Sequence, residues 1–276
     1  MQEIAESCET AVIIIGRTAG EEQDNTLAKG SYLLTYEEEQ MLSLVRKHFH
    51  KVAVLLNTGN LIDMQFIDLY KPDAVLYVWQ GGMTGGTGTA KVLTGEVSPS
   101  GKLPDTIAYL VSDYPSCANF GNANQNYYQE DIYIGYRHFE REKFQNQVRY
   151  PFGYGLSYTS FAMEIQSCSE QDQDYQKKIN VHVRNTGTYA GKEVIQVYCR
   201  PPQGTALGNP PRILIAYQKT KLLNPGESQS LEFVLNPVTS YDDSGVTGYP
   251  HCEIMQKGEY QFILALMSGQ RNIPLR

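Results

Sequence analysis

Features typical of membrane proteins and of disulfide-stabilised secreted proteins are absent from this sequence of 276 residues. No apolar run reaches the roughly 18 residues that a helix needs to cross a bilayer. The five cysteines are odd in number, widely spaced and without a C-x-x-C pair, which indicates free thiols rather than a disulfide framework or a zinc site. The opening residues are acidic and polar, unlike the start of a signal peptide. We therefore expect a cytoplasmic protein that does not cross a membrane.

Positive charge and metal-binding side chains are also scarce. The sequence has 23 Lys and Arg against 30 Asp and Glu, a formal net charge of −7, and its basic residues are scattered. Because a nucleic-acid surface needs clustered basic residues, no nucleic-acid partner is expected. Of the five histidines only His48 and His50 are close neighbours, and no acidic residue or thiol stands beside them. We therefore expect no metal site.

One glycine-rich segment, residues 81–88, follows an apolar run and invites a nucleotide-binding interpretation. A P-loop ends in Gly-Lys-Ser/Thr, whereas Lys91 follows Thr89 and Ala90. A dinucleotide fingerprint needs a third glycine at the position that Lys91 occupies. Both motifs fail, so we expect no cofactor. The glycines still allow close backbone approach to a ligand or to a neighbouring domain, and packing is the favoured role.

The first half of the chain alternates strand and helix patterns. Apolar runs without polar alternation, typical of strands buried on both faces, cover residues 11–15, 52–56 and 74–79. Thr35 followed by Glu38 is a capping-box pattern, and the apolar stripe beyond it predicts a helix. Strands spaced by helix-length segments predict an α/β sandwich with a mostly parallel sheet over residues 1–160, incomplete at its start.

The second half changes to a period of two. Polar and apolar residues alternate in four segments, which are 179–187, 193–198, 231–235 and 260–264. Turn signals at 185–187 and 224–227 separate them, and a long irregular stretch from residue 98 precedes them. Short alternating strands of this kind predict a fibronectin type III or immunoglobulin-like β-sandwich over residues 161–276.

An acidic segment follows the first predicted strand. Glu21 and Asp24 come shortly after residues 11–15, where a buried strand exits. Ligands of open α/β sheets bind in the crevice outside the carboxyl ends of the strands. Glu21 is therefore the first candidate for catalysis, and the alternative is a solvated loop carboxylate or a helix cap.

Four motifs, in the order in which they occur, carry a more specific signal. They are IIGRTAGE at 14–21, SPSGKLP at 98–104, IGYR at 134–137 and YPFGYGLSY at 150–158. Together they resemble the carboxyl-side signature of the family 3 glycoside hydrolases of the β-glucosidase type. Residues 183–187, 191–198 and 223–228 are similar to the fibronectin type III-like module that follows in those enzymes. The resemblance covers nearly the whole chain.

The resemblance implies a retaining glycosidase that removes terminal β-linked glucosyl or xylosyl residues from an oligosaccharide or a glucoside. In such enzymes a β/α barrel carries an Asp nucleophile, and the α/β sandwich lends the general acid/base, which maps onto Glu21. A retaining enzyme needs these two carboxyl groups about 5 Å apart. The acid must also stay protonated near neutral pH, which requires a pocket that disfavours its charge.

Three further residues are candidates for substrate binding in that context. Arg17 and Asp24 are candidates for shaping the charge of Glu21 or binding a hydroxyl of the leaving group, with ordinary surface pairing as the alternative. Tyr127, in the loop before the IGYR motif, is a candidate for lining the mouth of the site, with packing as the alternative.

The sequence departs from the family pattern in what it lacks. No stretch supplies the βα repeats of the barrel, for which about 250 residues are needed. In several members of the family that this sequence resembles, an aromatic residue that stacks on the leaving sugar occupies the position of Gln23. We therefore expect half of an active site, inactive without a barrel domain from the same gene product.

Two other interpretations belong to different functional classes. One is a non-catalytic carbohydrate-binding or scaffold protein, in which the sandwich and the β-module survive without an active site. The other is a flavodoxin-like receiver joined to an adhesion module. The receiver fits the layers but not the motifs, because no acidic pair follows the first strand in the receiver pattern.

Overall fold

The computed structural model of this protein describes residues 2–18, 24–169, 175–269 and 273–274. The chain divides into two compact units. One comprises Met1–Thr94 and Tyr109–Tyr114, and the other comprises Gly95–Ala108 and Pro115–Arg276. The module boundary expected after residue 160 stays a prediction. The fold class is confirmed, since the first unit holds a parallel sheet and the second holds antiparallel sheets.

A three-stranded parallel sheet lies at the centre of the first unit. Its strands, in their order across the sheet, are β1 (Thr10–Gly16), β2 (Lys51–Asn57) and β3 (Ala74–Tyr77). β1 and β2 pair from Thr10 opposite Lys51 to Gly16 opposite Asn57, so they end side by side. Since parallel strands share one direction, all three carboxyl ends lie at the same edge of the sheet. The acidic segment leaves β1 at this edge.

The described residues of the first unit include four α-helices, which are α1 (Gln2–Ser7), α2 (Tyr36–His48), α3 (Phe66–Tyr70) and α4 (Gly85–Leu93). α2 begins with the predicted capping box. Thr35 Oγ1 accepts a hydrogen bond from the Glu38 N–H (3.1 Å), and the Glu38 carboxylate accepts one from the Thr35 N–H (2.8 Å). Two backbone donors that a helix start leaves unpaired are thereby satisfied.

The glycine-rich segment after β3 leads into α4, a helix that the sequence analysis does not predict. Glycine in a helix interior costs about 1 kcal/mol relative to alanine, so propensity argues against a helix here. One of these glycines is required by close approach, because a Cβ on Gly81 would lie 2.7 Å from the Gly85 Cα. Gly81 therefore has the packing role that the sequence suggested.

The two faces of the sheet differ in exposure at β1. Ile13 and Ile15 are buried, whereas Val12 and Ile14, on the other face, are 49% and 64% exposed. The prediction that this strand is covered on both faces is therefore wrong for the part of the chain that the structure describes. Val12 and Ile14 line an open, mainly apolar groove of about 380 Å³ beside α4.

Irregular structure fills most of the chain between residues 95 and 160, as predicted. Its regular elements in the second unit are β4 (Ile107–Ala108), α5 (Tyr136–Phe139), β5 (Val148–Tyr150) and short 3-10 helices at Pro115–Ala118, Asp131–Tyr133 and Glu142–Gln147. β4 and β5 pair in antiparallel fashion. A further 3-10 turn, Val111–Asp113, belongs to the first unit.

Two antiparallel sheets form the rest of the second unit. The strands are β6 (Phe161–Cys168), β7 (Lys177–Asn185), β8 (Val194–Arg200), β9 (Ile213–Lys219), β10 (Ser228–Leu235), β11 (Ser240–Asp242), β12 (Cys252–Ile254), β13 (Gln261–Ala265) and β14 (Ile273–Pro274). One sheet has the order β10-β7-β6 and the other β14-β13-β8-β9, while β11 and β12 form a separate hairpin. Five of these strands lie outside the four segments that the alternation predicts, namely β6, β9, β11, β12 and β14.

The two sheets share one apolar core. Alternate side chains of β7 and β10 point into it, as a period of two requires, and β8 and β13 contribute from the facing sheet. The fully or almost fully buried members are Ile179, Val181, Val183, Ile195, Val197, Leu231, Phe233, Leu235 and Leu264. This arrangement confirms the predicted β-sandwich.

Candidate active site

The described part of the candidate site is the edge of the first unit where the three parallel strands end. The chain leaves β1 at Arg17, whose backbone N–H donates to the carbonyl oxygen of Asn57 at the end of β2 (3.1 Å). Glu21 and Gln23, the residues predicted to donate the proton and to replace a stacking aromatic, lie outside the described residues. The structure therefore shows how the chain enters and leaves the segment that carries Glu21.

Arg17 is held by three parts of the first unit. Its two terminal nitrogens donate to the two carboxylate oxygens of Glu38 (2.5 and 2.6 Å), and Nη1 also donates to the Gly16 carbonyl (2.9 Å). Nε donates to the carbonyl of Ser31 (3.3 Å). These contacts engage the guanidinium within the protein. A role for Arg17 in substrate binding stays a prediction.

Burial and hydrogen bonds have opposite effects on the pKa of the Glu38 carboxyl. Burial raises the pKa of its carboxyl, but the hydrogen bonds from Arg17 and from the Thr35 N–H outweigh burial and hold that pKa below its usual range. The side chains of Arg17 and Glu38 are only 13% and 16% exposed. The sequence indicates Glu38 as a capping residue but gives no sign that it pairs with Arg17.

Asp24 and its neighbour Asn25 mark the far end of the candidate segment. Asp24 is exposed, and its role stays a prediction. The Asn25 side-chain amide donates to the carbonyl of Leu61, in the segment that follows β2 (2.7 Å). Asn25, which the sequence analysis did not single out, therefore attaches this end of the segment to the same edge of the sheet.

A group of polar and aromatic side chains completes this edge and was missed from the sequence. Thr58 is fully buried just after β2, and its hydroxyl and that of Tyr77 both donate to the Asn60 carbonyl (2.9 and 2.6 Å). The ring of Trp79 lies 4.1 Å from that of Tyr77, with a positive φ of 57° at Trp79. The only available signal was the polar Thr-Gly-Asn turn after the second apolar run.

Tyr127 belongs to the second unit. Its hydroxyl donates to Gln125 Oε1, its carbonyl accepts a hydrogen bond from the Asn119 side chain (3.0 Å), and its side chain is about half exposed. The predicted place of Tyr127 at the mouth of a site stays a prediction.

The remaining motif segments form a structural network within the second unit. Lys102 of SPSGKLP pairs with Glu193 (2.8 Å) and donates to the Gly155 carbonyl of YPFGYGLSY (3.0 Å). Tyr136 of IGYR accepts a hydrogen bond from the Leu214 N–H through its hydroxyl (2.7 Å), and its ring stacks on Phe152. These motifs therefore connect the irregular segment to the β-sandwich.

Metal-ligand clusters and membrane-spanning helices are both absent from the described residues. Among residues 2–18, 24–169 and 175–269, no group of three or more His, Cys, Asp or Glu side chains is arranged to hold a metal ion. None of the helices in the described part of the chain has the length and apolar character needed to cross a bilayer.

Comparison with known families agrees with the motifs. Residues 1–158 match the glycosyl hydrolase family 3 C-terminal domain, and residues 193–265 match the fibronectin type III-like domain. These two matches confirm the resemblance read from the sequence.

Two similar proteins are named as β-glucosidases. The chain is 54% identical over 260 residues to a β-glucosidase of Ruminococcus albus, covering 94% of this chain and 27% of that protein. It is 38% identical to β-glucosidase A of Butyrivibrio fibrisolvens, covering 96% of this chain and 36% of that protein. It thus spans only about a third of the length of these relatives.

Solved structures show the same fold. A β-glucosidase of Paenibacillus barengoltzii superposes on 100% of this chain, over 30% of its own length, with a TM-score of 0.95 and 46% identity. β-Glucosidase 3B of Thermotoga neapolitana, solved with α-D-glucose, superposes on 99% of this chain and 38% of its own, with a TM-score of 0.87 and 34% identity. The chain therefore belongs to family 3 of the glycoside hydrolases, as a C-terminal domain of that family together with its fibronectin type III-like domain.

Proposed function

We propose that this chain is the portion of a retaining β-glycosidase that supplies the general acid/base, through Glu21. The proposed substrates carry a terminal β-linked glucosyl or xylosyl residue. The observation that carries the proposal is the match of residues 1–158 to the family 3 C-terminal domain. The IIGRTAGE motif within that match ends at Glu21, five residues along the sequence from the end of β1 at Gly16.

The proposed chemistry has two steps. A carboxylate nucleophile attacks the anomeric carbon, the bond to the leaving oxygen breaks, and the Glu21 carboxylic acid donates its proton to that oxygen. Water then attacks the anomeric carbon of the covalent intermediate, its proton passes to the Glu21 carboxylate, and the nucleophile is released. Asp24 is proposed to contact the departing sugar, and the role of Tyr127 stays a prediction.

The nucleophile is proposed to come from a β/α barrel in the same gene product. The chain covers only 27% and 36% of the length of the Ruminococcus albus and Butyrivibrio fibrisolvens proteins, which leaves room in those proteins for such a domain. The exposed apolar side chains of Val12 and Ile14 also support contact with further parts of that product, because apolar strand faces are ordinarily covered.

We also propose a reducing, cytoplasmic location. All five cysteines are free, and four of them are exposed, namely Cys8, Cys117, Cys168 and Cys252. Exposed thiols persist where the compartment keeps them reduced. Fractionation of the source cells, with detection by antibody, would place the protein; recovery outside the cytoplasm would reject this location.

The leaving group provides the test of Glu21. In the complete gene product, Glu21→Gln is expected to lower the rate on a β-linked disaccharide by roughly 10²–10⁴-fold, since general acid catalysis contributes about that factor. The rate of glycosylation by a dinitrophenyl β-glucoside should change little, because dinitrophenolate leaves without a proton. Glu22→Gln is the matched control and should retain activity on both substrates.

Two outcomes would reject the proposal. Full activity of Glu21→Gln on the disaccharide would show that another group donates the proton. A complete gene product that binds oligosaccharides, hydrolyses none and carries no barrel would favour the non-catalytic alternative.

A further inference from the structure

The segment that carries Glu21 is attached to the first unit at both ends. We infer that Arg17 and Glu38, here called the clasp, are positioning residues that fix the entry of this segment for proton donation. The inference rests on the proposed function of Glu21. It assigns the clasp a role in catalysis without contact to the substrate, in place of the leaving-group contact predicted for Arg17.

The clasp joins parts of the chain that are separate in sequence. Through Arg17 it holds the end of β1 at Gly16, the carbonyl of Ser31 and the carboxylate of Glu38. Two parallel N–H to oxygen bonds fix the plane of the guanidinium as well as its distance. Lysine cannot reproduce this geometry, because it offers a single charged nitrogen.

Glu38 gives the clasp a rigid support. The same carboxylate oxygen accepts the Arg17 bond (2.6 Å) and the capping bond from the Thr35 N–H (2.8 Å). α2 is in turn fixed to the interior by the buried side chains of Leu42 and Val45. A site supported by a packed helix is held more precisely than one supported by a loop.

A second set of contacts fixes the return of the segment. Asn25 binds the Leu61 carbonyl (2.7 Å), and the backbone N–H of Thr26 donates to the Ser31 hydroxyl (3.0 Å). Next to Ser31, Tyr32 is buried and its N–H donates to the Thr26 carbonyl (3.2 Å). Ser31 thus contacts both Arg17 and Thr26, so the two ends of the segment meet at one residue.

The short distance along the chain between the anchors makes their effect local. Residues 18–24 are all that separate Arg17 from Asn25, and Glu21 is the middle one. A displacement of about 1 Å in a reacting group can reduce a rate by about 10²-fold. Releasing Arg17 is therefore expected to impair the step that needs the proton more than the binding of substrate.

A second Arg–carboxylate pair on α2 provides a matched control. Arg46, in the last turn of α2, donates to Asp73 (2.6 Å), which also accepts the N–H of Val52 near the start of β2. This pair lies toward the amino ends of the strands, at the opposite edge of the sheet from the clasp. Arg46→Met removes an ion pair from the same helix but leaves the carboxyl edge intact.

The experiment compares two substrates in the complete gene product. Arg17→Met is expected to lower kcat on a β-linked disaccharide by roughly 10²-fold, with KM changed by no more than a few-fold. On a dinitrophenyl β-glucoside the loss in kcat/KM should be at most a few-fold, because that leaving group needs no proton. Arg17→Lys should recover only part of the disaccharide rate, and Arg46→Met should match the unmodified protein on both substrates.

Glu38→Gln gives a second, milder break of the clasp, because the amide retains an oxygen that accepts the Thr35 capping bond. It should show the same selectivity for the disaccharide with a smaller loss. Circular dichroism and thermal unfolding of each variant identify the folded fraction used to calculate kcat.

The outcomes separate the inference from the proposal beneath it. One outcome is that Glu21→Gln loses activity selectively on the disaccharide while Arg17→Met and Glu38→Gln show no such selective loss. In that case the clasp inference is wrong and the role of Glu21 stands. Equal losses on both substrates, or the same losses in Arg46→Met, would also reject the clasp inference, because they would show that the clasp contributes only to general stability. If Glu21→Gln is not selective, the proposed function and the clasp inference both fail.

Discussion

Removing Lys102 is expected to destabilise the second unit strongly, because Glu193 would remain buried without the positive charge that is paired with it. The Lys102 ammonium lies 2.8 Å from Glu193 Oε1, and the two side chains are only 11% and 6% exposed. Lys102→Met keeps the length of the side chain and removes the positive charge. The substitution therefore retains most of the packing of the side-chain stem, and it removes the ion pair together with the hydrogen bond to the Gly155 carbonyl.

The size of the effect follows from what Glu193 retains. After Lys102→Met, the described contacts leave its Oε1 with one hydrogen bond, from the Val194 N–H (2.7 Å). Breaking a buried ion pair from one side typically costs about 3–5 kcal/mol. Replacing both partners by neutral groups is far milder, so Lys102→Met with Glu193→Gln should fall within about 1–2 kcal/mol of the original chain.

Equilibrium urea unfolding followed by circular dichroism measures these free energies. Hydrogen exchange at the amides of β8, which begins at Val194, shows whether the loss is located beside the pair. Lys221→Met is the matched control, because Lys221 is 58% exposed in its pair with Glu227 and should give no measurable shift.

Two results would refute this reasoning. A loss below about 1 kcal/mol for Lys102→Met would mean that the pair behaves as a solvated surface pair. A double variant less stable than Lys102→Met alone would mean that the carboxylate left without its Lys102 partner is not the cause of the loss.

Three further predictions concern a close backbone approach at Gly155, the N-terminal cap of α2 and the buried His138. Gly155→Ala should cost about 1–3 kcal/mol, since the new Cβ would lie 2.5 Å from the Gly101 carbonyl oxygen, whereas Gly101→Ala meets open space and should be neutral in urea unfolding. Thr35→Ala should cost about 1 kcal/mol and Thr35→Ser much less, as measured by the fluorescence of Trp79, the single tryptophan of the chain. Burial, followed by neighbouring basic side chains, lowers the pKa of His138 to about 4. The unfolded chain, with a pKa of about 6.5, then binds the proton more readily, so stability should fall as pH drops from about 6.5 to about 4, and thermal unfolding of His138→Gln should lose this slope.

Features that depend on neighbouring residues could be predicted from the sequence. The capping box of Thr35 and Glu38 needs only three positions, and the structure contains it as predicted. The strands of the β-sandwich follow a period of two that burial of one face imposes, and four of them lie where the alternation indicated. Family membership followed from motifs whose order along the chain is itself informative.

Features that depend on distant partners could not be predicted. The run at residues 11–15 is apolar throughout, but whether Val12 and Ile14 are covered depends on other elements, not on the run itself. α4 forms despite its glycines, since tertiary context overrides propensity. In the candidate site, Arg17 donates hydrogen bonds to Glu38 on α2, and the Asn25 side chain donates one to the Leu61 carbonyl beyond β2. Neither pairing has a sequence signature.

The measurement that tests the central claim most directly is product analysis of Glu21→Gln in the presence of azide. In the complete gene product, the variant should accumulate a covalent glycosyl intermediate from a dinitrophenyl β-glucoside, because no base activates water for the second step. Azide needs no base, so it should attack the anomeric carbon, displace the nucleophile, accelerate turnover and give β-glucosyl azide. The unmodified protein should show no such acceleration. An absence of any azide effect on Glu21→Gln, or a product of α configuration, would contradict the assignment of Glu21 as the acid/base of a retaining glycosidase.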